Sequence, residues 1–577
     1  MMQYKLHIHD RKYSSWSFFD ENNHEIDPSK LCSDFHPSIY KMYHNDVFIV
    51  EDDGIPKVIH SEVNETKIFA GVLLLSSGQT YGRSSNGRLY YKCICHDPHY
   101  PELLVPYDQK LGFSKAISNK YVTFSFKDWF AKHPTGILRE TLGNVNDLDT
   151  YYEYSLHAKN IHYSLTSLNK HLKTLLKETP MDKQLQNIIS NPKYQIRDKR
   201  QQCYIYSIDP EGSTDLDDAF SCQQLEENPD HYRVCVYISN VFLWLEQMEL
   251  WPFLSNRVST VYFPNKKRTM LPTLFSEDWF SLLEKKDRLA FTMDLLVHKD
   301  GYIIPDTTQF YSSIITVRKN FVYDEPKLLN NKHYTKLEQL TKSIDPTIID
   351  SHDVVSFWMI QMNVTCANKL SQCKTGVFRQ SSFKNKELTK EFEEKDYDHQ
   401  TKQMLSHWNN VSCQYAMFKG ETEEHRLKHE VMNHDYYVHI TSPIRRLVDI
   451  LNQICFYKDV LQMEVSATCS EFLQKECNEM DFINESMKSI RKIQNDCNLL
   501  FRFYNDNELQ NKVFEGILIQ KNPSSIGFSY LIYNKEHNAI HSFECVNDYA
   551  LFDKKQFNMY LFEDEHVCKR KIRIQVL

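Results

Sequence analysis

The residues best suited to chemistry lie in one ten-residue stretch, Asp209-Pro-Glu-Gly-Ser-Thr-Asp-Leu-Asp-Asp218. Asp209, Asp215, Asp217 and Asp218 place four carboxylates in a segment that Pro210 and Gly212 force to bend. Like charges this close repel one another and call for a counter-cation. Hard oxygen ligands in a cramped loop suit Mg²⁺, with Mn²⁺ as its substitute. Two such ions a few ångströms apart would clamp a phosphodiester for hydrolysis. Taken alone, the same residues also suit a solvated acidic loop or a Ca²⁺ site.

A second stretch, Tyr437-Val-His-Ile-Thr-Ser-Pro-Ile-Arg-Arg446, supplies the complementary charge. Thr441 or Ser442 can cap a helix with Pro443 at its first position. Leu447, Ile450, Leu451, Ile454 and Cys455 then follow the spacing of a buried apolar stripe. That spacing predicts Arg445 and Arg446 in the first helical turn, where backbone N–H groups already favour an anion. Arginine gains nothing from the helix dipole there, so a negatively charged ligand is implied. A phosphate fits best, because the guanidinium fork grips it through two hydrogen bonds.

The elements that must position these stretches differ along the chain. Residues 1 to about 170 read as β-rich, with strands expected at Ile68–Leu75, Leu89–Cys95 and Tyr121–Phe126. The aromatics of the last suit base stacking, but in short strands they serve more often as core. Cys93, Cys95, His96 and His99 are poorly spaced for zinc. Helices are expected over residues 350–375, 384–405 and 470–505, the second as a charged, solvated face. Barrel-like alternation returns at Lys512–Ile519, Gly527–Tyr533 and Lys571–Leu577.

Together the two stretches resemble the signatures of the ribonuclease II/ribonuclease R family, the RNB-domain exoribonucleases, which includes the hydrolytic subunit of the eukaryotic exosome. The acidic box matches at all four aspartates, and the downstream box matches with Ile440 in place of phenylalanine. Val234–Val241, Arg257–Pro264, Met270-Leu-Pro272 and Asp287–Phe291 follow the family's order, so the resemblance covers roughly residues 180–505. It implies an α+β fold: a central RNB catalytic domain of mixed sheet and helices between OB-fold barrels, the N-terminal one cold-shock-like. The corresponding divisions are a β-rich extension at 1–60, an OB-fold RNA-binding region at 61–175, the RNB domain at 180–505 and a ribosomal-protein-type OB barrel at 510–577.

The resemblance implies hydrolytic 3′→5′ degradation of single-stranded RNA to nucleoside 5′-monophosphates with Mg²⁺. By it, Asp209, Asp215, Asp217 and Asp218 hold one or two Mg²⁺ ions directly or through water, Asp209 and Asp218 are the firmest metal ligands, and Asp217 is most critical to turnover. Arg445 stabilises charge on the scissile phosphate, Tyr262 stacks near the 3′-terminal nucleotide, and Tyr323 lines the same channel. Tyr437, His439, Ser442 and Arg446 join the RNA contacts. Leu447, Gln453, Asn240 and Gln494 depart from the family's usual tyrosine, histidine, aspartate and glutamate. A catalytically silent RNA-binding scaffold is the alternative, although such relatives typically lose box aspartates. A different metal phosphoesterase acting on DNA would leave the arginine stretch unexplained.

Composition is compatible with these expectations. At 577 residues the chain suggests several domains. No apolar run approaches the roughly 20 residues needed to span a bilayer, and the first residues lack a signal-peptide core. The fifteen scattered cysteines favour reduced thiols, hence an intracellular, cytoplasmic or nuclear protein without membrane contact. A net charge of −8 is not that of a nucleic-acid coat, so any RNA contact must rest on local basic clusters. Those at Arg197–Arg200, Lys266–Arg268 and Lys569–Arg573 are as compatible with a solvated face as with RNA. A helicase or decay-complex partner is not readable from sequence.

Overall fold

The computed structural model describes residues 2–26, 35–51, 54–64, 67–108, 117–129, 131–383, 394, 396–418, 427–506, 508–564 and 569–577. It divides into two compact units, one of Met1–His162, Phe263–Asn265 and Lys492–Leu577, the other of Tyr163–Tyr262 and Lys266–Arg491.

The first unit is built on three five-stranded sheets with one strand logic. Strands Phe69–Leu73, Leu89–Cys95, Leu103–Tyr107, Lys120–Asp128 and Thr135–Asn144 close into a barrel in which the fifth lies between the third and the fourth. Only the fifth-to-third pairing is parallel. This is the order of an OB barrel, and closure removes the exposed edges of an open sheet. The sheet of Tyr4–Ile8, Trp16–Phe19, Glu25–Ile26, Val47–Val50 and Pro56–His60 has the order third-second-first-fourth-fifth. So does the sheet of Val513–Ser524, Gly527–Asn534, Ala539–Cys545, Lys554–Asp564 and Lys569–Val576. Both are the same winding without the final closure. The stretch expected only as a β-rich extension therefore carries an OB-like sheet of its own.

Alternation explains the packing of this unit. Side chains two apart share a face of a strand, so Leu6 and Ile8 point into one core with Phe18, Phe48, Leu73, Val122 and Phe124. Tyr121 and Phe124 are fully buried, so the aromatic strand serves as core and not as a stacking platform. Cys93 and Cys95 are buried as well, and the His96 ring bonds the Tyr154 hydroxyl at 3.1 Å.

The second unit is organised by a mixed sheet. Its order is Arg197–Asp198, Gln309–Thr316, Asp287–His298, His231–Ser239, Asp218–Gln224, Tyr206–Asp209 and Lys319–Val322, with Tyr302–Ile303 pairing beside Asp287–His298. His231–Ser239 is a near-continuous run of buried residues, as a strand covered on both faces must be. Helix Ser351–Gln372 is capped by the Asp350 side chain and matches the helix expected there. Of the charged helix expected at 384–405, residues 384–393 and 395 lie outside the described residues, and among those described His399–Trp408 is helical. The long helix expected at 470–505 is broken at Glu479 into Ala467–Asn478 and Met480–Asn505. No described helix is long and apolar enough to cross a membrane.

Candidate active site

Strand pairing brings the acidic box together. Asp209 ends one strand and Asp218 opens its antiparallel neighbour, so both stand at the same end of adjacent strands. The connection turns where Ser213 N–H donates to the Pro210 carbonyl at 3.1 Å, with Gly212 at φ +78°. That positive φ is what requires glycine, since the space around a Cβ there is open. Ser281, fully buried, pins the rest of the loop: its hydroxyl donates to the Thr214 carbonyl at 2.8 Å and accepts from Leu216 N–H at 3.0 Å.

The four carboxylates do not share one environment. Asp217 is 2 % exposed; one oxygen accepts from Ile444 N–H at 2.9 Å and the other from Arg445 Nε at 3.1 Å. Asp215 instead accepts from Lys267 Nζ and from the Tyr262 hydroxyl, both at 2.7 Å. Asp209 and Asp218 each keep a buried Oδ2 with no hydrogen-bond partner. Lys267 and Arg445 thus each claim one of the four carboxylates expected to hold metal directly or through water. Among the described residues, only Asp350, His352 and Asp353 bring three ligand atoms within 4.8 Å of one another. Their carboxylates are occupied in starting a helix, Asp350 accepting from Asp353 N–H and Asp353 from Ile349 N–H, both at 2.9 Å.

Electrostatics set the three buried carboxylates apart from Asp215. Burial pushes the Asp209 carboxyl up to about 6, against the pull of Ser207 and Arg445. Burial, with Asp209 and Asp217 close by, holds Asp218 well above the usual carboxylate range. Burial takes Asp217 to about 7 although Arg445 and Ile444 N–H oppose it. Buried acids in this state are neutralised either by protons or by a hard cation. Two oxygens without donors fit a divalent ion, with Asp209 and Asp218 as its holders.

The arginine stretch is shaped differently from expectation. Helix Leu447–Cys455 begins one residue after Arg446, so neither arginine is in its first turn and Pro443 is outside it. Arg445 lies in a turn closed on the Ser442 carbonyl, and a bridge between Ser259 and Arg446 holds Arg446 extended. Thr260 N–H donates to the Arg445 carbonyl at 3.0 Å and Leu447 N–H to the Val258 carbonyl at 2.9 Å. The Arg445 side chain is 43 % exposed and also donates from Nη2 to Ser442 Oγ at 3.0 Å. Its Nη1 has no protein acceptor among the described residues. Arg446 is turned to the fully buried Asp449, which also takes Ser442 N–H at 2.7 Å.

The remaining expected residues separate into two groups. Tyr262 is 38 % exposed beside Asp215, and Tyr323 donates its N–H to the Asp209 carbonyl at 3.2 Å. Burial, together with Asp218 and Asp209, holds the Tyr323 phenol protonated. Tyr437 and His439 are interior: Asn363 donates to the Tyr437 hydroxyl at 3.0 Å, and His439 sits between Arg379 and Tyr415 at 2.8 and 2.7 Å. Burial and the neighbouring Arg446 and Arg379 keep His439 neutral. These two position the arginine stretch and present no surface to RNA. Lys267, Ser281 and Asp449 were not singled out by the sequence, and a basic cluster near the box is the only hint it holds of Lys267.

Two departures from the family pattern form one buried network. Gln453 accepts from Phe242 N–H at 3.1 Å and donates to the Ser239 carbonyl at 2.9 Å. Asn240 caps helix Val241–Gln247 and donates to the Tyr457 hydroxyl at 2.6 Å. Gln453→Ala strands the Phe242 donor and the Ser239 acceptor, at about 1–3 kcal/mol each. Chemical denaturation of that variant is expected to show the loss, and an unchanged midpoint would contradict it.

The second unit's mixed sheet thus presents buried carboxylates beside a half-exposed arginine. The RNB domain family matches residues 196–348 and 327–462, so this part of the chain is an RNB domain. The chain is 29 % identical over 221 residues to the Schizosaccharomyces pombe DIS3-like exonuclease 2, covering 34 % of this chain and 23 % of that one. It is 28 % identical over 229 residues to an Arabidopsis thaliana protein named inactive exonuclease DIS3L2, covering 37 % and 20 %. The matched stretch thus spans about a fifth of these relatives' lengths. In fold, Mycoplasma genitalium RNase R in complex with ribose-methylated single-stranded RNA superposes with a TM-score of 0.67 at 16 % identity, over all of both chains. The family is one of exoribonucleases, and it has members named as inactive.

Proposed function

We propose that this chain is a hydrolytic 3′→5′ exoribonuclease acting on single-stranded RNA to release nucleoside 5′-monophosphates, with Mg²⁺ at the acidic box. The observation that carries this reading is the pair of orphaned buried oxygens on Asp209 and Asp218 next to the Asp217–Arg445 ion pair. A bound divalent ion supplies charge that neutralises the carboxylates and activates water toward phosphorus. Asp209 and Asp218 hold it. Asp217 fixes Arg445, one oxygen accepting from Arg445 Nε and the other from the preceding Ile444 N–H, and Arg445 Nη1 is left to a phosphate. Lys267 ties Asp215 down and Tyr262 offers a ring face to a terminal base. Charge stabilisation by such a preset donor counts most where charge grows on the phosphate during reaction.

An inactive scaffold needs none of this arrangement, and here all four aspartates and Arg445 are kept. The test is incubation of 5′-labelled RNA and DNA oligomers with Mg²⁺ and with a chelator. RNA is expected to shorten stepwise from its 3′ end, chelation to stop it, and DNA to be spared. Internal cuts, DNA cleavage, or hydrolysis that survives chelation would overturn the proposal.

A further inference from the structure

At the other end of the strand that Asp218 opens lies a second cavity, of about 470 Å³. Tyr204, Tyr232, His333, Lys332, Lys336 and Gln223 line it. Asp218 is the first and Gln224 the last residue of that seven-residue strand, so at about 3.3 Å per residue the cavity lies about 20 Å from the acidic box.

Its chemistry is unlike that of the chain as a whole. Acidic side chains outnumber basic ones, 76 to 68, yet this lining holds two lysines and no carboxylate. Neither Lys332 nor Lys336 makes an ion pair among the described residues. Lys336 lies over the Tyr232 ring with Nζ 4.3 Å from its centroid. The Tyr204 and His333 rings are stacked on each other 4.4 Å apart at 5°, which leaves the outer face of each for a further ring. Both lysines stand at the start of helix Lys332–Ile344, where the Asn331 side chain already accepts from His333 and Tyr334 N–H. The positive charge on offer is therefore that of the lysines and not of the helix end.

A stacked aromatic pair, two lysines that make no ion pair among the described residues and a neighbouring amide suit a ligand with a planar ring and an anion. Pockets of a few hundred Å³ enclose molecules of that size. We propose that this cavity binds a nucleotide unit, its phosphate at Lys332 and Lys336 and its base against the Tyr204–His333 pair. The unit can come from a free nucleoside monophosphate or from within an RNA strand. The proposal concerns binding at a second site and does not rest on the chain being a nuclease.

Calorimetric titration of the full chain, with metal chelated, tests it. The probes are AMP, adenosine, inorganic phosphate and a single-stranded RNA oligomer. The proteins are wild type, the Lys332→Gln/Lys336→Gln double variant and Asp217→Asn. The double variant is expected to weaken AMP or RNA binding by roughly tenfold or more, the worth of one charge-assisted contact. Weakening of AMP alone assigns a free nucleotide, and weakening of RNA assigns a nucleotide within a strand. Asp217→Asn is expected to leave AMP binding unchanged. If the double variant melts early, Lys332→Gln alone, at an exposed position, makes the same comparison. AMP and RNA affinities both unaffected by the lysine variants, or AMP binding lost in Asp217→Asn, would overturn the proposal.

Discussion

Asp217→Asn is expected to slow RNA hydrolysis by roughly 10³-fold, the scale of losing a preset electrostatic contact. The two shapes are nearly identical, so the effect must come from charge and from donor–acceptor sense. Both carboxylate oxygens of Asp217 accept, one from Ile444 N–H and one from Arg445 Nε. An asparagine has one carbonyl oxygen, so its amide N–H₂ must face one of those two donors. Arg445 then loses the anion that fixes it, while Asp209 and Asp218 keep their orphaned oxygens. Stability should hardly fall, because the variant also removes a desolvated charge from a crowd of like charges. Single-turnover hydrolysis beside thermal melting separates the two effects. A variant within tenfold of wild type would refute the role given to Asp217.

Arg445→Ala has the second-largest expected effect, and it should differ in kind. Loss of a donor aimed at the developing phosphate charge costs roughly 10²–10³-fold, falling on kcat more than on KM. It also leaves the buried Asp217 Oδ2 without its partner, at about 1–3 kcal/mol of stability. Water can reach the emptied place, since the arginine was 43 % exposed, and this keeps the cost toward the lower end. Arg445→Lys should regain most of the stability but little of the rate. One ammonium cannot reach Asp217, Ser442 and a phosphate at once, whereas the guanidinium fork is laid out to do so. Equal losses in the alanine and lysine variants, in both rate and melting temperature, would argue against that division of roles.

Much of the site was legible because its residues are close in sequence and chemically unusual. Four aspartates within ten residues announce a cation, and two arginines after Thr-Ser-Pro-Ile announce an anion. The buried stripe after Arg446 was legible too, from periodicity: Leu447, Ile450, Leu451, Ile454 and Cys455 are all buried. The helix start was misplaced because capping rules see only neighbours. Here the Val258–Thr260 segment, nearly two hundred residues upstream, pairs across Arg446 and keeps that residue extended, so the helix starts only at Leu447. Tyr437 and His439 were expected among the RNA contacts because they belong to the box that resembles the family's. Their burial against Asn363, Arg379 and Tyr415 depends on partners that no local pattern names.

By itself, then, the amino-acid sequence determined which charges the protein must bring together and roughly which strands and helices carry them, since local spacing sets periodicity and charge density. Tertiary structure decided how those charges are shared. It gave Asp215 to Lys267 and Asp217 to Arg445, and it left Asp209 and Asp218 each with a buried oxygen that no protein donor reaches. That division depends on distances between segments far apart in the chain, and on how much water burial removes from each carboxylate. Both quantities come into being only when the chain is packed.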